Sequence, residues 1–179
     1  NPLDKSITII RPSVIFGEFN RGNVYNLMKQ ISSGFFIMIG SGQNKKSMAY
    51  VENVVAFLEY SLSFKPGLHI YNYIDEPDLD MNSLVSKSRE VLFKKNNIGL
   101  RLPASIGLGL GYLADFIAKI SGISLPVSSI RMKKFMGTTK FSSSINTTGF
   151  VPPVSLEEGL VRTLYYEFVE NNLDKKSFD

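Results

Sequence analysis

Cysteine is absent from the chain and histidine occurs once, at His69. The first absence excludes a disulfide framework, a thiolate nucleophile and a cysteine-rich zinc site. The second weighs against a histidine-built metal site or triad, so no metal is expected. Long runs of like charge, internal repeats and low-complexity segments are also missing. Lys and Arg number 20 against 16 Asp and Glu, a net +4 with a pI of about 9.2. That balance suits an anionic ligand, but the basic residues are scattered rather than clustered, which is not a nucleic-acid footprint. Asn1 to Lys5 carry no basic-then-apolar leader pattern. With the lack of cysteine, this makes the cytoplasm the expected location.

What is present is an ordinary globular composition, 44% hydrophobic and 20% charged over 179 residues, enough for one domain with a sizeable core. Ser6 to Ile10 is a near-continuous β-branched run ended by Arg11-Pro12, the pattern of a strand buried on both faces of a parallel sheet. One comparable run follows, Leu68 to Ile74, so the chain looks cut from something larger. Val24, Leu27, Met28 and Ile31 mark one face of a helix over 23–33 that Gly34 stops. Phe35 to Ile39 reads as a short strand, and Val54, Phe57, Leu58 and Leu62 as the inner face of a second helix. A third helix is expected over 83–95 with Asn82 as its cap, then a strand at Leu100 to Pro103. The apolar stretch Ala104 to Ile120 is short for a membrane span and holds Asp115 and Lys119 at i,i+4, so it reads as a buried amphipathic helix. A short helix is expected over 126–136. Ser155 with Glu158 forms a capping box for the last helix, 156–169, and the polar tail 171–179 is expected to fray.

The stretch from Gly40 to Val55 organises the rest. Gly40 and Gly42 permit a tight turn, Ser47 to Val51 passes as a short strand, and Asn53 opens an apolar-periodic run. Between them Lys46 is delivered to a concave surface, where an ammonium binds a diphosphate as a point charge. Two other patterns are decoys. Tyr25 and Lys29 have a Tyr-x-x-x-Lys spacing suited to proton exchange with a carbonyl, but they follow the Arg11-Pro12 strand instead of preceding it. Gly107, Gly109 and Gly111 imitate a dinucleotide loop without a preceding strand or a following acidic residue. Small residues allowing close helix packing is the better reading of that run.

Taken in order, Arg11-Pro12-Ser13-Val14-Ile15-Phe16-Gly17, Arg21-Gly22-Asn23, Ile39-Gly40-Ser41-Gly42, Asn44 to Ser47, and Tyr50-Val51-Glu52-Asn53-Val54-Val55 resemble the C-terminal half of extended short-chain dehydrogenases/reductases. These are the NAD(P)-dependent sugar-nucleotide epimerases, dehydratases and 4-ketoreductases. Tyr71-Asn72, Asp75-Glu76-Pro77, Leu102-Pro103, Gly149-Phe150 and Leu156-Glu157-Glu158-Gly159-Leu160 continue the same order.

The resemblance implies an α/β fold: one or two parallel strands of a Rossmann-type sheet, with residues 1–17 as its last strand and loop, and a small mixed α/β substrate domain over 18–179. The glycine-rich loop and the catalytic Tyr and Lys would precede this sequence, so the chain alone is expected to be inactive. By the same resemblance, Pro12 and Ser13 line the nicotinamide of NAD or NADP. Asn23 and Val24 start the helix that receives the diphosphate of a nucleotide-sugar, expected to be UDP-linked; Lys46 stands where many epimerases place an arginine, and Arg131 is a further diphosphate contact. Val14 where galactose epimerases carry asparagine, and Lys46-Ser47 for arginine-aspartate, point toward UDP-N-acetyl-6-deoxyhexose enzymes of polysaccharide pathways, with a homodimer expected by analogy. Two alternatives stand beside this: a 3β-hydroxysteroid dehydrogenase-like protein, and a stand-alone, non-catalytic binding domain.

Overall fold

The structure, a computed structural model, describes residues 4–123 and 128–170. The expected fraying tail and the Pro126 start of the fifth helix lie outside the described residues. Among the described residues, eight short strands and six α-helices follow in order: β1 (Ser6–Pro12), β2 (Val14–Phe16), α1 (Asn23–Ser32), β3 (Ile37–Ile39), β4 (Lys45–Lys46), β5 (Met48–Tyr50), α2 (Val51–Ser61), β6 (Gly67–Tyr73), β7 (Leu79–Asp80), α3 (Met81–Phe93), β8 (Leu100–Leu102), α4 (Ala104–Ser121), α5 (Ser129–Met136) and α6 (Leu156–Leu164). The strands form three parallel pairs, β1 with β6, β2 with β5 and β3 with β8, and one antiparallel pair, β4 with β7.

The partner expected for the first strand is the one it has, in register from Ser6 beside Gly67 to Pro12 beside Tyr73. Burial on both faces does not hold. Period-2 alternation turns Tyr71 and Tyr73 toward Phe57 of α2 and leaves Ile7, Ile9, Leu68 and Ile70 on the open face, exposed. A two-stranded ribbon has one helix to cover it here, so half its β-branched surface stays in solvent.

Two packed clusters hold the domain. The larger joins Met28 and Ile31 of α1, Met38 of β3, Tyr50, Leu84 and Val85 of α3, and Leu160 and Leu164 of α6. The smaller is centred on Phe57, whose ring meets those of Tyr60, Phe64, Tyr71, Tyr73 and Phe150. Leu58 and Leu62, assigned by periodicity to the inner face of α2, are exposed; that helix begins at Val51, and Asn53, Val54, Phe57 and Ser61 face inward instead. On α3 the cap is Asp80, which accepts from the Ser83 N–H at 2.7 Å, because Asn82 is spent on Ser41 and Arg101. Ser155 caps α6 as expected, accepting from the Glu158 N–H at 3.1 Å.

The fourth helix overturns its expectation. Only Gly107 and Gly111 of α4 are buried, and the large apolar side chains point away from the domain. The reason is local: a Cβ on Gly107 would lie 2.3 Å from Ile39 Cγ2, and one on Gly111 would lie 2.8 Å from the Ser129 backbone, whereas Gly109 has nothing within 4 Å. The two glycines let α4 sit directly on β3 and α5, and a helix docked by its smallest residues must present its largest ones outward.

Candidate functional site

Gly42, at φ +69, closes the turn before β4; a Cβ there would overlap the Asn82 amide, so the glycine is needed for conformation and for space. The turn brings Asn44 and Lys46 beneath the C-terminal end of α5. Asn44 donates to the Phe135 carbonyl at 2.8 Å. Lys46 Nζ donates to the Lys134 carbonyl at 2.9 Å and also to the carbonyl of Gly137. These are the orphan carbonyls of a helix end, where the dipole favours a cation. Burial lowers the Lys46 pKa from the ordinary lysine value. An ammonium has three donors, so two carbonyl contacts leave one direction for a ligand.

Lys46 is one of the residues lining a cleft of about 700 Å³, with Val14, Asn23, Val24, Arg131 and Lys134, among others. The structure thus brings together four residues singled out from the sequence, Asn23, Val24, Lys46 and Arg131, from segments more than 100 positions apart. The N-terminal end of α1 opens into this cleft with Gly22 at its cap, no side-chain cap and no acidic residue in its first turn. Exposed N–H groups at a helix start favour an anion, and Lys46, Arg131 and Lys134 line the same cleft. Pro12 and Ser13 lie apart, in a cavity of about 200 Å³ shared with Arg11, Asn72, Ile74 and Phe141. Ser13 Oγ is buried there without a hydrogen-bond partner. Phe141 borders both cavities.

A larger depression of about 880 Å³ lies on another side and is walled by Glu18 and Glu52 with Arg21. Two carboxylates make it a poor host for a diphosphate. Its neighbour Tyr50 donates to Glu18 at 3.0 Å, and burial, with Glu18 second, pushes the phenol well above the ordinary tyrosine range. Tyr25, the decoy, stacks on Phe168 at 5.4 Å between ring centres, as an aromatic on a packed helix face does.

Sequence reasoning missed Asp75. Its carboxylate, 2% exposed, accepts from the Tyr50 N–H at 2.7 Å and the Tyr73 hydroxyl at 3.0 Å. It thereby fixes the strand-to-helix corner after β5 and the end of β6. The Tyr50-to-Val55 motif is a structural joint on this showing, with Asn53 as its second anchor. The available signal was an acidic residue directly after the second β-run, read only as part of a turn.

The fold is the Rossmann-type epimerase fold, and within it Asn23, Val24, Lys46 and Arg131 line one cleft beside a small cavity at the end of the first parallel strand. No protein-family model matches the chain. It is 50% identical over 179 residues to the N-acetyl-alpha-D-glucosaminyl-diphospho-ditrans,octacis-undecaprenol 4-epimerase of Escherichia coli O157:H7, covering 99% of this chain and 54% of that protein. It is 26% identical over 170 residues to the UDP-glucose 4-epimerase of Vibrio cholerae, covering 93% and 48%. Among solved structures, the UDP-glucuronic acid 4-epimerase from Bacillus cereus in complex with NAD superposes with a TM-score of 0.54 at 14% identity, covering 89% of this chain and 44% of that one. The relatives and structural neighbours are epimerase/dehydratase proteins, the family whose motif order this sequence resembles. The chain spans about half the length of the curated relatives it matches.

Proposed function

We propose that this chain is the substrate-binding portion of an NAD(P)-dependent epimerase that inverts C4 of a sugar carried on a diphosphate. The observation that carries the reading is the convergence of the uncapped start of α1 with Lys46, Arg131 and Lys134 in one cleft. Such a set recognises a diphosphate by charge and N–H donation, whatever is attached beyond it. The sugar then extends toward Val14 and Phe141, in the direction of Pro12 and Ser13.

Pro12 and Ser13 fit the amide end of a nicotinamide. An orphaned hydroxyl walled by Pro12, Ile74 and Phe141 is a polar handle in an apolar slot of the right kind. NAD or NADP, when bound, supplies hydride transfer at the sugar carbon. The residues of this chain bind the diphosphate, orient the ring and exclude water; the proton-transferring groups belong to residues outside these 179. The open face of β1 and β6, with Ile7, Ile9, Leu68 and Ile70 in solvent, suits a larger sheet packed with helices.

For the carrier, a polyprenol is favoured over a nucleoside. Half the residues are identical to those of a relative named for an undecaprenol-linked sugar, and the roof of the cleft, α5, rests on the outward-facing apolar helix α4. A UDP-linked sugar is the second reading, supported by the Vibrio cholerae relative. The test is incubation of the full-length protein with NAD and each of two substrates, prenyl-diphosphate-linked and UDP-linked N-acetylglucosamine, with C4 inversion read by NMR. Inversion of the prenyl-linked sugar supports the proposal; inversion of the UDP sugar alone moves it to the second reading; inversion of neither ends it.

A further inference from the structure

The fourth helix is built inside out. Gly107, Gly111, Ala114, Asp115 and Ala118 share the side that meets the domain: Gly107 touches Ile39, Gly111 touches the Ser129 backbone, and the Asp115 carboxylate accepts from the Ser129 N–H at 3.1 Å. On the opposite side Ile106, Leu110, Leu113, Ile117 and Ile120 recur at i, i+4, i+7, i+11 and i+14, each 45 to 72% exposed. A soluble helix does the reverse and buries its large apolar stripe. Ile123 and Ile130 lengthen the patch, with Phe116 along its edge. A contiguous apolar surface of this kind marks an interaction site.

Charge decides the occupant. From Leu100 to Phe150 the sequence holds Arg101, Lys119, Arg131, Lys133, Lys134 and Lys140 against a single acid, Asp115, and that acid is engaged with the Ser129 N–H. A second copy seated on the patch by two-fold symmetry would set this basic segment against itself. An anionic lipid surface complements it. The helix has the length and mean hydropathy, 1.2, of a membrane span. A span, however, would pull Gly107, Gly111 and Asp115 from their partners, whereas lying in the plane of the interface keeps all three contacts.

We propose that α4 docks flat on an anionic bilayer, its isoleucine and leucine stripe in the acyl boundary and the lysines around it among the headgroups. The choice of a bilayer rests in part on the reading of a polyprenol-linked substrate, since α5 joins the docked helix to the roof of the cleft and would open the site beside the membrane plane.

The experiment is flotation of the full-length protein with vesicles of phosphatidylethanolamine and phosphatidylglycerol, against vesicles of phosphatidylcholine alone. Binding to the anionic vesicles, weakened by salt, is expected. The triple variant Leu113→Ser, Phe116→Ser, Ile117→Ser is expected to lose at least about tenfold in vesicle binding, from the apolar area removed, with its thermal midpoint retained. A separate Lys119→Glu, Lys133→Glu variant should bind less without altering the stripe. Failure of the wild type to float, or equal flotation of the triple variant, overturns the proposal. So does light scattering in which the triple change turns a dimer into a monomer while vesicle binding is nil, because a second copy then covers the stripe. Inversion of a water-soluble, short-prenyl diphosphate sugar is the independent readout. Turnover without flotation removes the docking surface and leaves the epimerase; flotation without turnover does the opposite.

Discussion

Asn53 and Val154 hold each other in both directions: the Asn53 amide donates to the Val154 carbonyl at 2.7 Å, and the Val154 N–H donates to Asn53 Oδ1 at 3.0 Å. Both residues are buried, and the pair ties the start of α2 to the chain entering α6, 101 positions away. Asn53→Ala leaves a buried carbonyl and a buried N–H unpaired and should cost about 2–6 kcal/mol of stability, at roughly 1–3 per orphaned group. Asn53→Asp should be no rescue, since a carboxylate cannot donate to Val154. Urea denaturation of the two variants checks both statements.

The glycines of α4 are not equivalent. Gly111→Ala places a methyl against the Ser129 backbone and should destabilise by about 1–3 kcal/mol through overpacking. Gly109→Ala meets open space and should stabilise by up to about 1 kcal/mol from helix propensity. Thermal midpoints moving in opposite directions are the expected result. Equal shifts would mean that α4 does not rest on α5 through Gly111.

Lys46→Ala in the full-length protein should weaken binding of the sugar-diphosphate by about 1–3 kcal/mol, the scale of a charge-assisted hydrogen bond, while NAD affinity stays the same. Because Lys46 also holds the end of α5, hydrogen exchange at Lys133 to Gly137 should quicken in the variant even without ligand. Calorimetry and exchange together separate the two roles: unchanged ligand affinity with faster exchange would leave Lys46 as a helix clamp only.

Burial raises the carboxyl pKa of Asp75 above the ordinary aspartate value, with the hydrogen bonds from Tyr50, Asn53 and Tyr73 pulling the other way. The folded state therefore keeps its proton to higher pH than the unfolded chain does. The contribution is fully present below the unfolded value and is lost as pH rises through the folded one. Asp75→Asn removes this titration. The stability of the wild type relative to Asp75→Asn should rise on acidification from neutral to mildly acidic pH, measured as paired urea midpoints. A difference that stays constant would show that Asp75 does not titrate in this window.

Much of the architecture was legible because it rests on local pattern. The β-branched run at Ser6 to Ile10 announced a parallel strand, and the only similar run, Leu68 to Ile74, was its partner. The cleft was legible in part: Asn23, Val24, Lys46 and Arg131 do line one space. What periodicity could not supply was direction. Nothing in the spacing of Leu110, Leu113 and Ile117 says which side of a helix meets the domain; the glycines decide that, by where β3 and α5 come closest. Asp75 was missed for a related reason, since its value lies in two partners, Tyr50 and Tyr73, one of them 25 positions away. Asn82 lost its expected cap to a neighbour two residues earlier once Ser41 and Arg101 claimed its amide.

The fifth helix is pinned at both ends: Ser128 and Asp115 take the N–H groups of its first turn, and Asn44 with Lys46 takes the carbonyls of its last. A strut fastened in this way has its shape before any ligand arrives. A diphosphate bound as proposed would therefore enter a finished seat, and the ordering entropy that a flexible lid would charge to the complex has already been spent in folding.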